Sequence, residues 1–221
     1  MYYATMKEFL INKNFKNILI FHYEGNDLDD LSREMNSDIL NNYLNDDKYK
    51  QGLKEKQTII DTLSKNFIKE QFIKKDTTIP KKDNYNILQF IKLTKSRSFI
   101  NFTLPISYKN KKLIDKFSEI MTKSKIFLDK NNAKIYLIYL PAYSRFDSIT
   151  SRILLDLDKN KIKNLANSID IEFIDIAEEF KKNSNDPKKY FPFELNGHYT
   201  EEGVNLVFDA LKRKIFFKNW F

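Results

Sequence analysis

Three short apolar runs, nearly free of charge, interrupt a chain otherwise dense in lysine, asparagine and aspartate. They are Asn17 to Tyr23 (NILIFHY), Lys134 to Leu140 (KIYLIYL) and Ile171 to Ile176 (IEFIDI). Runs of this length without polar alternation predict strands of a parallel sheet, covered on both faces. Between and around them the apolar positions recur at helical spacing. Met6, Phe9 and Leu10 mark a helix within Met1 to Lys13. Leu53, Ile59, Ile60, Leu63, Phe67 and Ile68 mark one over Lys50 to Phe72. Leu113, Ile114, Phe117, Ile120, Met121, Phe127 and Leu128 mark one over Asn110 to Asn131, the crossover that a parallel strand pair requires. A shorter helix is expected over Lys159 to Ser168, and a last one carries Val204, Val207, Phe208, Leu211 and Ile215 on one face. Residues Lys74 to Asn86, polar and containing Pro80, read as a surface loop.

This pattern defines one α/β domain over residues 1–221, without internal repeats. Within it, residues 36–108 form a helical and loop insertion expected to act as a cap, where substrate selection commonly resides. The carboxyl ends of parallel strands are where open α/β sheets bind ligands, so the junctions after the strands carry the functional question.

Two junctions stand out. After the first strand comes Tyr23-Glu24-Gly25-Asn26-Asp27: Gly25 permits a sharp turn and Asp27 begins an acidic segment suited to open and cap a helix. The Asn26 carboxamide would then sit off the strand end, where it can donate to a developing oxyanion. The same residues also make ordinary turns. Near the other end, Asn196-Gly197-His198-Tyr199-Thr200-Glu201-Glu202 puts a histidine just before a helix, with Thr200 as N-cap and two acids in the first turn. His198 is placed as a general base. The alternative for it is a loop histidine held by a backbone carbonyl. His22, the other histidine, falls inside the first strand and reads as a packed core residue.

Composition removes several classes. With no cysteine there are no disulfides or thiolate metal sites, and two separated histidines without an HExxH-like cluster give no metal or cofactor signature. No apolar run approaches the roughly 18 residues needed to span a bilayer. The net charge of +8 comes from 33 lysines and only 5 arginines, alongside many asparagines and isoleucines. That balance is what an AT-rich genome writes into any protein. Arginine, suited to bidentate phosphate and guanine contacts, is scarce, and no nucleic-acid-binding signature occurs.

Taken together, the Gly25-Asn26-Asp27 and Gly197-His198-Tyr199 blocks resemble blocks III and V of the Ser-Gly-Asn-His (SGNH, or GDSL-like) hydrolase superfamily. The likeness is greatest to a bacterial branch reading similarly to "EGNDL-DL" and "FPF...GHY...G". It extends through Lys134 to Arg145 (KIYLIYLPAYSR), Ile171 to Ile176 and Asp186-Pro187. It implies a partial flavodoxin-like α/β/α sandwich holding strands 3, 4 and 5, in a superfamily whose sheet order is 2-1-3-4-5. It further implies that Asn26 is an oxyanion-hole donor shaped by Gly25, and that His198 is the catalytic base. The implied reaction is hydrolysis or transfer of an ester-linked acyl group, plausibly on a carbohydrate or cell-envelope polymer.

The nucleophile is missing. The superfamily's Gly-Asp-Ser block precedes Gly-Asn-Asp, only 24 residues lie before Gly25, and no Gly-Asp-Ser occurs anywhere in the sequence. Ser144 and Ser148 follow a strand but lack the glycine-flanked elbow that exposes a serine hydroxyl. The positions two and three before His198, where many members carry aspartate, are Asn196 and Leu195. Glu194 or a main-chain carbonyl could orient the imidazole instead. The expectation is therefore an inactive portion of a hydrolase, complemented by an N-terminal segment, whose first strand is a bare apolar edge. The alternatives are a non-catalytic binding or scaffold remnant and a basic nucleic-acid-associated protein. The compartment is left undetermined.

Overall fold

In the computed structural model the described residues are 1–10, 13, 15–75, 112–194 and 198–216. Three parallel strands, β1 (Asn17–Tyr23), β2 (Lys134–Leu140) and β3 (Glu172–Asp175), form a sheet in the order β1-β2-β3. The pairing is in register from Asn17 opposite Lys134 to Tyr23 opposite Leu140, and from Tyr136 opposite Glu172 to Tyr139 opposite Asp175. The protein is thus of the α/β class. β1 and β2 have the boundaries their apolar runs predict, while β3 is trimmed because Ile176 begins the next helix.

β2 is the centre of the molecule. Its side chains alternate across the sheet, as the pleat requires. Ile135, Leu137 and Tyr139 enter one core, and Tyr136 and Ile138 enter the other. The first core is built by α1 (Tyr2–Phe9), α2 (Asp27–Glu34), α5 (Lys112–Asp129) and α7 (Ile149–Ser168), through residues such as Tyr3, Leu31, Phe117, Met121, Leu128 and Ile162. The second is built by α8 (Ile176–Asn183) and α9 (Glu201–Leu211), through Phe180, Val207, Ala210 and Leu211, with Tyr190 and Phe191 between them. Helices therefore cover both faces of the sheet.

Several helices differ from the sequence expectation. α4 (Gln57–Lys75) starts late because Gly52 adopts φ +67°, and the Gln51 and Leu53 amides donate to Glu8 at 2.6 and 2.7 Å instead of entering a helix. It also runs through Lys75, into the expected surface loop; the rest of that loop is outside the described residues. α7 begins ten residues early, on the N-cap Ser148, whose hydroxyl accepts from the Ser151 amide at 3.0 Å. A four-residue helix, α6 (Ser144–Asp147), precedes it. In α9 the buried stripe is Gly203, Val207, Ala210 and Leu211, leaving Val204 and Phe208 exposed.

Of the segment 36–108, residues 36–75 are described. Its first helix, α3 (Asp38–Asn45), buries Tyr43 and Leu44. The Tyr43 hydroxyl donates to Glu8, and Lys7 donates to the carbonyls of Tyr43 and Asp46 at 3.3 and 2.8 Å. The α3 stretch is thus fastened to α1.

Among the described residues β1 pairs only with β2, so it is an edge strand, and Phe21 is 43% exposed. The expected cover on both faces is incomplete here. The bonds Lys134 N to Lys16 O and Glu24 N to Leu140 O set even-numbered β1 residues toward β2 and odd-numbered ones outward. The outward groups at the carboxyl end are occupied: Tyr2 donates its hydroxyl to Phe21 O at 3.0 Å, and Tyr23 N donates to Asp27 Oδ2 at 3.0 Å. The same Tyr2 hydroxyl lies 2.7 Å from Asp27 Oδ2, closing the pair. Side chains from α1 and α2 thus blunt one end of the open edge.

Candidate functional site

The sharp turn after β1 is enforced by packing. The Tyr23 ring folds under Gly25, where a Cβ would stand 2.3 Å from ring atom Cε1. Asn26 then occupies the N-cap position of α2, and its carbonyl accepts from Asp30 N at 2.8 Å. Its side chain is exposed and does not cap the helix. One amide N–H donates to Asp30 Oδ2 at 3.0 Å; the second has no recorded partner among the described residues. Asp27, expected as a cap, makes no capping bond and spends its carboxylate on Tyr2 and Tyr23.

His22 lies beneath this turn, 1% exposed, stacked on Tyr139 at 5.5 Å and edge-on to Phe117 at 5.3 Å. Neither ring nitrogen has a hydrogen bond, and the nearest carboxylate oxygen, from Asp27, is 3.7 Å from Nδ1. Burial drives its pKa down to about 4, against a smaller upward pull from Asp27. The ring is a neutral core residue at neutral pH.

His198 is exposed, three residues before the start of α9. The chain after it is tied down. Thr200 N donates to Tyr190 O at 2.8 Å, the Thr200 hydroxyl accepts from Gly203 N at 3.2 Å, and Tyr199 donates to Pro141 O at 2.7 Å. The Tyr199 ring packs against Phe180 and Phe191, each at 5.2 Å. Burial raises the Tyr199 pKa, and the nearby Tyr23 and Glu24 raise it further. Gly203 is demanded by close approach, since a Cβ would meet Tyr190 O at 2.9 Å. Upstream, Phe193 is 93% exposed with φ 55°, a left-handed conformation costly for an aromatic residue. Glu194 ends a 3₁₀ turn (Pro192–Glu194), but its side chain and the whole of Asn196 lie outside the described residues.

Asn26 and His198 therefore both belong to loops at the carboxyl edge of the sheet. Asn26 is three residues beyond β1, and Tyr199, next to His198, is bonded to the residue just beyond β2. No hydrogen bond joins Asn26 to His198 among the described residues. Ser144 opens α6, four residues beyond β2, and Ser148 caps α7.

The sequence reading missed the most heavily bonded feature of this edge. Glu24 and Arg145 form an ion pair with side-chain exposures of 1% and 0%. Arg145 Nε donates to both Glu24 oxygens at 2.8 and 3.0 Å, and one terminal nitrogen donates to Oε2 at 2.6 Å. Ala142 N adds a fourth bond to Glu24 at 2.7 Å. The other terminal nitrogen of Arg145 reaches Asp156 at 2.5 Å, and Lys159 bridges Asp156 (3.2 Å) and Asp175 (3.0 Å). Burial opposes the charge on Arg145, but the bonds to Glu24 and Asp156 outweigh it and raise its pKa. Burial likewise pushes the Asp156 carboxyl up, and Arg145 and Lys159 overcome this and hold it low. The network joins the residue after β1, the loop after β2 and the last residue of β3. The only sequence signal was a charged residue close behind each strand. A cleft of about 550 Å³ shares Arg145 and is lined also by Ser148, Arg152, Lys181, Asp186 and Lys188.

No group of three or more His, Cys, Asp or Glu side chains able to hold a metal occurs among the described residues, and none of their helices is long and apolar enough to cross a membrane. No family model, curated protein or solved structure matches the chain.

Proposed function

We propose that this chain carries the oxyanion-donor and general-base portion of an SGNH-type ester hydrolase or acyltransferase acting on carbohydrate O-acyl esters. The nucleophilic serine comes from a complementing N-terminal segment. The observation carrying this reading is that Asn26 and His198 lie on loops at the carboxyl edge of one parallel sheet, both tied to the loop after β2. In the reaction, the complementing serine attacks the acyl carbonyl and His198 takes its proton. The exposed Asn26 amide donates its second N–H to the oxyanion, and Asp30 fixes the first.

The test has two stages. The purified chain, incubated with an aryl acetate and an acetylated polysaccharide, releases no product above the buffer rate. The DNA upstream of the Met1 codon is then read in all frames for a Gly-Asp-Ser segment, and the joined protein is expressed. It hydrolyses the ester, and Asn26→Ala lowers turnover by about 10²–10³-fold. Turnover unaffected by that change refutes the oxyanion role.

A second reading, a non-catalytic binding protein, is favoured by one observation: Ser144 and Ser148 are both built into helix starts. Unrelated sequence upstream would select it.

A further inference from the structure

The segment 141–145, the loop after β2 and the start of α6, touches both halves of the proposed site through different atoms. Ala142 N and the Arg145 guanidinium hold Glu24, two residues before Asn26. Pro141 O accepts from Tyr199, the residue after His198. Glu24 N also donates to Leu140 O, so the turn after β1 is anchored to this loop by main chain and side chain alike. This third segment is thus bonded to both, while Tyr23 and Glu24 also lie near Tyr199.

We infer that the loop after β2 is the positioning element that sets the spacing between Asn26 and His198, with Arg145 and Tyr199 as its two anchoring side chains. Arg145 is extended and fully enclosed, and its fork reaches Glu24 with three contacts and Asp156 with a fourth. Such a planar, multiply bonded side chain allows one arrangement where a lysine would allow many. Tyr199 is fixed just as tightly by the Phe180 and Phe191 rings. Glu24 and Tyr199 are thus each fixed by several contacts. This inference rests on the reading of Asn26 and His198 as a working pair, but its test requires no turnover.

The chain has no cysteine, so paired spin labels can be introduced without removing native residues. Asp29→Cys and Glu201→Cys, both exposed, place labels beside the two loops while sparing Asn26 and His198. Pulsed electron–electron distance measurement on the full chain gives one narrow distribution. Arg145→Lys and, independently, Tyr199→Phe each broaden it about twofold, by releasing one anchor into local opening. Tyr43→Phe, which breaks the buried bond to Glu8 on the far side of α1, leaves the width unchanged. The inference is overturned if both site variants keep the parent width, or if Tyr43→Phe broadens it equally. A broadening with Arg145→Lys, alongside unchanged turnover in Asn26→Ala of the joined enzyme, would sink the catalytic reading and leave the spacing role standing.

Discussion

Replacing Arg145 by methionine isolates a fully enclosed ion pair. The change removes the three Arg145 bonds to Glu24 and leaves its enclosed carboxylate with neutral donors alone, the Ala142 amide and the Tyr139 hydroxyl. Asp156 loses less, because Lys159 stays within 3.2 Å. Stranding one member of a buried pair costs about 3–5 kcal/mol. That is a large share of the roughly 5–15 kcal/mol that holds a domain folded. For a chain of this length it lowers the melting temperature by about 6–20 °C. The companion variant, Glu24→Met with Arg145→Met, removes both charges and fills the space with apolar volume, so it recovers most of the loss. Urea unfolding followed by far-ultraviolet circular dichroism at pH 7 measures all three proteins. A loss below about 1 kcal/mol in the single variant is the range of an exposed ion pair and would refute the reasoning. So would a double variant no more stable than the single one.

Acid should weaken the fold through His22. Its folded pKa of about 4 lies below the ordinary 6.5, so the unfolded chain binds the extra proton between those values. Stability is complete above about pH 6.5 and falls by about 3 kcal/mol as the pH drops toward 4. His22→Phe, which suits the Phe117 and Tyr139 surroundings, should flatten that slope in urea midpoints taken across the window. Gly203→Ala drives a methyl against Tyr190 O and should cost about 1–3 kcal/mol by the same assay; an unchanged midpoint contradicts the close approach. Tyr2→Phe removes the donor to Phe21 O and Asp27, costs about 1 kcal/mol, and raises light scattering on storage as the β1 edge opens. Scattering equal to the parent's would show that Tyr2 does not guard the edge.

How much was legible follows from the range of each interaction. β1 and β2 could be bounded to the residue because burial, nearly continuous in β2 and partial in β1, writes an almost uncharged apolar run into the sequence itself. α5 was equally clear, since its stripe faces one core. α7 was read too short because the apolar residues of its first turns, Ile149, Ile153 and Leu157, are exposed and do not mark a buried face. Val204 and Phe208 misled in the opposite sense: they fit a helical stripe but lie outside the core. At the site, the glycine turn and the Thr200 cap were readable because both are local. The Glu24–Arg145 pair spans 121 residues, and no spacing rule connects its members. Asp27 deceived for the same reason. A local rule makes it a helix cap, yet its carboxylate serves Tyr2, 25 residues away.

The Tyr2–Asp27 closure over the end of β1 also limits how the sheet can grow. A further strand arriving at this edge finds outward backbone groups at Asn17 and Leu19, but meets an occupied carbonyl at Phe21 and an occupied amide at Tyr23. Pairing can begin at the amino end and cannot run to the carboxyl end, where Asn26 lies, until the phenol and the carboxylate let go. The amino-terminal helix thereby works as a latch on sheet extension. Any segment that completes the edge must bring hydrogen bonds enough to replace the ones it displaces.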